Sequence, residues 1–229
     1  MCGQGRVLKR WHLNLQGGIS ASPSLYLCMN HRQQLDRIKA LYDKGENVIQ
    51  FLKGQSSRQQ NTDEDILISY DLQAGSYTQL IKEKYELFAP IFQEYIDVLN
   101  DLGPIHSLVE AGVGEATTLA NVSRQLANGP AIVGGFDISW SRVMYGKRYF
   151  AETNPGREAS LVVGNLFETP YADSSIDVVY TSHSIEPNGG RETEAIRELY
   201  RIASRYVVLF EPAYELTENA AAKERMKSH

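Results

Sequence analysis

Apolar residues follow two regimes along the chain, and the change falls near residue 104. Before it they recur at helical spacing. Leu35, Ile38, Leu41 and Tyr42 form one stripe, continued after Gly45 by Val48, Ile49 and Leu52. Ile81, Tyr85, Phe88, Phe92, Tyr95 and Leu99 form a second, which predicts a long helix from about Gln79 to Leu102. Pro90 lies inside it and predicts a kink or break, because proline lacks the N–H and crowds the preceding turn. Residues 54–64 are polar and read as a loop. Residues 1–28 sustain neither period, so they are expected to be a poorly defined segment upstream of a natural start at Met29.

Beyond residue 104, short apolar runs alternate with helical patterns, as in a parallel α/β sheet. Strands are predicted over 106–111, 131–137, 159–163, 176–182 and 206–211. Helices are predicted over 115–128, 139–152 and 191–204. Ser139 is placed to cap the second of these helices. Gly129–Pro130 and Asn154–Pro155–Gly156 are stops. The expected fold is a doubly wound, mostly parallel α/β sheet. A helical cap over 29–102 precedes an α/β core over 103–229.

Composition narrows the function classes. A formal net charge of −5 gives no basic footprint for nucleic acid or an anionic membrane. Cys2 and Cys28 make no metal-ligand spacing and read as two free thiols, so no metal is expected. No apolar run reaches the ~20 residues that span a bilayer, and no signal-type core opens the chain, so the expectation is a cytoplasmic protein off the membrane.

The most informative run is Ser107–Ala116. A buried strand ends at Glu110, Gly112 and Gly114 permit a sharp turn and close ligand approach, and a helix N-terminus follows. Asp137 closes the next strand, where a carboxylate can accept both hydroxyls of a ribose. A dinucleotide fingerprint G-x-G-x-x-G would need a third glycine where Thr117 stands.

Glu110-Ala-Gly112-Val-Gly114-Glu-Ala116 resembles the (D/E)xGxGxG motif of class I S-adenosylmethionine (SAM) dependent methyltransferases, with Ala116 replacing the last glycine. Gly135–Ser139 resembles the family's second motif, Gly164–Ala172 its "GDaxxLPF" segment, and Ser174–Tyr180 its "xSFDxV" strand start. The resemblance covers roughly 104–212. It implies SAM as cofactor, with Glu110 suited to its amino group and Asp137 to its ribose. It places Asn165 and Leu166 at the adenine, an amide oxygen replacing the usual carboxylate at Asn165. It also places Tyr77, in the stretch Tyr70-Asp71…Tyr77, in a lid where an aromatic face meets the carboxylate or the sulfonium.

Ser182, His183 and Glu186 follow the fourth strand, where ligands of open α/β sheets sit. Ser182 is expected at the cofactor. His183 and Glu186 are candidate catalytic groups, His183 as base for a hydroxyl or amine acceptor. No (N/D)PP(Y/F) motif stands here, which argues against a base-amine or glutamine acceptor. The expected reaction is methylation of an oxygen or nitrogen of a small molecule. A non-catalytic SAM-fold binding protein and an NAD(P)-dependent oxidoreductase remain alternatives. The family's last two strands have no counterpart after 206–211, where a helical stretch over 215–228 closes the sequence, so a C-terminally truncated core is expected.

Overall fold

A computed structural model describes residues 23–55 and 61–213. Residues 1–22 (Cys2 among them), part of the 54–64 loop and the predicted helix 215–228 lie outside the described residues. The chain forms two compact units, residues 1–46 and 47–229. In the first, helix α1 (Pro23–Asp43) begins six residues before Met29, so residues 23–28 are helical and the expected start does not mark the helix end. It closes in a Schellman turn. Gly45 takes φ 74°, its N–H bonds to the carbonyl of Tyr42, and that of Glu46 to Leu41.

The second unit opens with α2 (Val48–Gln55), capped by the Asn47 side chain accepting from the Gln50 N–H at 3.0 Å. Helix α3 (Asp63–Leu72) follows, in a stretch where the sequence predicts only loop and lid. Its start is a reciprocal capping box. The Thr62 hydroxyl accepts the Asp65 N–H, and the Asp65 carboxylate accepts the Thr62 N–H. Helix α4 (Ser76–Asp101) carries the long apolar stripe, with Ile81, Phe92, Tyr95 and Leu99 buried. Pro90 stays within it. The non-helical residue is Lys84 (φ −134°, ψ 37°), so the kink falls six residues earlier than the sequence places it.

The sheet has five parallel strands among the described residues, in the order β3-β2-β1-β4-β5. They are β1 (Ser107–Ala111), β2 (Ile132–Asp137), β3 (Ser160–Val163), β4 (Ile176–Ser182) and β5 (Ala203–Phe210). The connecting helices are α5 (Thr117–Ser123), α6 (Trp140–Thr153) and α7 (Glu192–Ile202). Ser139 caps α6 as expected, accepting from the Arg142 N–H at 3.1 Å. Strand β1 is buried along its whole length. Leu108 joins the core shared with α4, α5 and α6, whereas Val109 joins the one under α7. Strand order reverses between β1 and β4, which opens a crevice at their carboxyl ends. Among the described residues no helix is long and apolar enough to cross a membrane.

One buried carboxylate fixes α4 over that crevice. Gly75 precedes the helix at φ 96° and offers no side-chain cap. Glu115, in the turn after β1, supplies it. Its carboxylate accepts the backbone N–H groups of Gly75 (3.0 Å), Tyr77 (3.4 Å) and Thr78 (2.7 Å). A negative charge there also meets the positive end of the helix dipole. Glu115→Leu keeps the volume but leaves these donors without an acceptor. Chemical denaturation should show a loss of about 3 kcal/mol. A loss within experimental error would mean that water replaces the carboxylate and that Glu115 does not hold the helix.

Candidate functional site

A cavity of about 550 Å³ opens at the carboxyl ends of β1, β2 and β4. Tyr77, Glu110, Gly112, Asp137, Asn165 and Leu166 line it, and so do Ser182, His183 and Glu186. The structure thus gathers every candidate site residue but one around a single space. The exception, Gly114, stands behind the wall, where its N–H bonds to Asp137 at 2.9 Å. Sequence reasoning misses three further charged residues of the lining, Asp63, Glu115 and Arg142. Glu115 was visible as the residue after Gly114, and Arg142 as the cation one turn beyond the Asp137 motif.

Glu110 is buried on the sheet face opposite Val109. Its register partner on β4 is Tyr180, whose hydroxyl donates to it at 2.8 Å. Burial pushes the Glu110 carboxyl up to about 8, against the lowering effect of the Tyr180 hydroxyl and the Leu119 N–H. Asp137 accepts the N–H of Gly114 through one oxygen and that of Ser139 (2.8 Å) through the other. Burial raises its carboxyl too, while the Arg142 guanidinium and those two N–H groups pull it down. Asp137 therefore shapes the glycine turn as well as facing the cavity.

The glycines answer first to the protein itself. A Cβ on Gly112 would stand 2.2 Å from that of Ser184, and one on Gly114 would meet the Arg142 guanidinium at 2.5 Å. Both take positive φ, 73° and 50°. Ala116, at the motif's third glycine position, also holds a left-handed φ of 54°, which is where an alanine costs about 1–2 kcal/mol and a glycine almost nothing.

Asn165 lines the cavity and is also bonded within the protein. Its amide oxygen accepts the Phe167 N–H (3.0 Å) and its nitrogen donates to Asp63 (2.7 Å). Both ends of the amide therefore close the local turn and tie α3 to it. Asp63 also pairs with Arg191 at 3.0 Å. A second tie links Ser139 to Asp71 at the end of α3. Tyr70 and Tyr77 both face Arg142, their ring centres 4.9 and 5.1 Å from its guanidinium. Burial pushes the Tyr70 hydroxyl up to about 12.

Beyond β4, the Ser182 hydroxyl approaches that of Tyr95 at 3.4 Å. His183 adopts φ 55°, uncommon outside glycine, and its N–H bonds to the Phe210 carbonyl. Its side chain is exposed at the cavity. Glu186 begins a short 3-10 turn (Glu186–Asn188), and one of its carboxylate oxygens is buried with no donor.

Residues 108–205 match the family described as "Methyltransferase domain". A solved structure described as an S-adenosyl-L-methionine-dependent methyltransferase from Methanococcus maripaludis superposes with a TM-score of 0.52 at 20% identity, covering 69% of this chain and 71% of that one. Magnesium protoporphyrin IX methyltransferase from Synechocystis PCC 6803, with bound SAH, gives a TM-score of 0.48 at 20% identity over 60% of this chain and 61% of the other. The methyltransferase complexed with the Haloferax volcanii Trm112 methyltransferase activator gives 0.46 at 18% identity over 58% of this chain, which spans only 55% of that protein. No curated protein matches. Residues 108–205 thus match a methyltransferase domain, and the chain shares the fold of the Methanococcus maripaludis protein.

The raised Glu110 carboxyl has a consequence for stability. Its contribution is fully present below about pH 4.5 and is lost as pH rises through about 8, because the unfolded chain gives up the proton first. Between those limits the loss amounts to at most about 1.4 kcal/mol per pH unit. In Glu110→Gln this loss should vanish, so the difference in melting temperature between variant and parent should shift in the variant's favour from pH 5 towards pH 8. A pH-independent difference would place the ionised carboxylate in a better-solvated site.

Proposed function

We propose that the chain transfers the methyl group of SAM to an oxygen or nitrogen of a small-molecule acceptor, as a cytoplasmic enzyme working on neither nucleic acid nor membrane. The observation that carries this reading is the convergence of the glycine turn, the acids closing β1 and β2, and the β4 end on one cavity of about 550 Å³. That size suits a cofactor and a small acceptor. The net charge of −5 suits no polyanion.

The residues fit the cofactor. Each Asp137 oxygen carries a single backbone bond and retains a lone pair for a ribose hydroxyl. Glu110 faces the ammonium, whose charge would lower the raised carboxyl. Leu166 and Ile138 offer apolar surface to the adenine. Tyr77 offers its ring at the lid. When bound, SAM supplies a methyl on a sulfonium that leaves as a neutral thioether. The chain's work is then orientation and exclusion of water, by α3 and α4 over the crevice. His183 takes the proton that the acceptor's hydroxyl or amine releases. Glu186, with its free oxygen, receives the acceptor's donor.

Titration calorimetry with S-adenosylhomocysteine tests the cofactor. Binding is expected, and no heat at about 1 mM ligand, a weak-affinity limit, would contradict it. A mass-spectrometric acceptor screen tests turnover. SAM binding without release of S-adenosylhomocysteine across the screen would favour a binding protein. Methylation of nucleic acid or protein alone would overturn the acceptor class. With an acceptor in hand, His183→Ala should lower turnover by about 10²-fold while leaving S-adenosylhomocysteine affinity nearly intact. Equal turnover would remove His183 as base.

A further inference from the structure

The acids around the cavity are nearly all engaged. Glu115 accepts three backbone N–H groups, Asp137 two, and Asp63 pairs with Arg191 and Asn165. Glu110 holds its proton to about pH 8 and is bonded to Tyr180. Arg142 is different. It lines the cavity from the first turn of α6, and among the described residues no carboxylate comes within ion-pair distance of it. Its guanidinium rests on the rings of Tyr70 and Tyr77 and against Gly114, and its Nε is buried with no acceptor.

A buried guanidinium N–H without an acceptor is costly, and the planar fork matches a carboxylate in two parallel bonds. Tyrosine faces stabilise the cation but offer no acceptor in the ring plane. The neighbour that completes this group is therefore an anion entering beside Gly114, between the glycine turn and the lid tyrosines. We infer that Arg142 receives the carboxylate of the cofactor's amino-acid end and makes the site select ligands that carry one. The inference rests on the cofactor reading above and adds a specificity-determining residue to it. It also links binding to the lid, since the same guanidinium touches the tyrosines on either side of the α3–α4 junction.

The test compares two thioethers by calorimetry: S-adenosylhomocysteine and its decarboxylated analogue, S-adenosyl-3-thiopropylamine, which keeps the ammonium. The parent protein should prefer the first. Arg142→Met should weaken S-adenosylhomocysteine binding by about 10- to 100-fold, the equivalent of one charge-assisted pair. The analogue's affinity should stay within about twofold or rise, because its ammonium no longer meets a cation. Arg142→Lys, which keeps charge without the fork, should discriminate to an intermediate degree, and it decides the question should the Met variant not fold. Equal loss for both ligands would make Arg142 a prop for the pocket and overturn the inference. So would a parent protein that binds both alike. A parent that binds neither would remove the cofactor reading, and this one with it.

Discussion

The arrangement depends on the carboxylate of Glu115. It is buried almost completely, and a buried charge persists only with strong partners. The partners come from outside its own element: the first N–H groups of α4, which the glycine at 75 leaves without a side-chain cap. The glycine turn after β1 and the helix that roofs the crevice are therefore one hydrogen-bonded object. Disturbing the turn uncaps the helix, and tilting the helix strands the charge. Further ties act in the same sense, Asp71 with Ser139 and Asp63 with Asn165 and Arg191. Together they hold α3 and α4 over the cavity.

This wiring explains the charge layout of the cavity. Of the carboxylates around it, Glu115 and Asp137 are bound to backbone N–H groups and Asp63 to a cation, while burial raises that of Glu110. Among the described residues that line the cavity, the buried side-chain atoms without any partner are the Arg142 Nε and one oxygen of Glu186. Side chains bonded within the protein and side chains with an unpartnered atom thus line the same space.

Most of the α/β core was legible because its signals are local. Runs such as Leu108–Val109 and Val178–Val179 are apolar on both faces, as buried parallel strands must be, and Ser139 announces α6 by its own hydroxyl. Helix α3 was not legible as an element. Ile66, Leu67 and Ile68 are contiguous, so no helical period shows, although Thr62 and Asp65 spell a capping box. Pro90 carried a signal for a kink that the structure places at Lys84. The features of the site that the sequence does not disclose share one cause, which is contact across sequence distance. Asn165 meets Asp63, 102 residues away, and Gly112 is required by Ser184, 72 positions on. No pattern along the chain could disclose that an amide was already engaged or that a glycine was making room for a serine.

Hydrogen–deuterium exchange in the presence of S-adenosylhomocysteine tests the coupling of turn and roof most directly. If Glu115 joins them, the ligand should slow exchange at the amides of Gly75, Tyr77 and Thr78 together with those of residues 112–117, and Glu115→Leu should abolish the effect at the first group only. Protection confined to residues 112–117 in the parent protein, with the start of α4 exchanging as freely as before, would contradict the account.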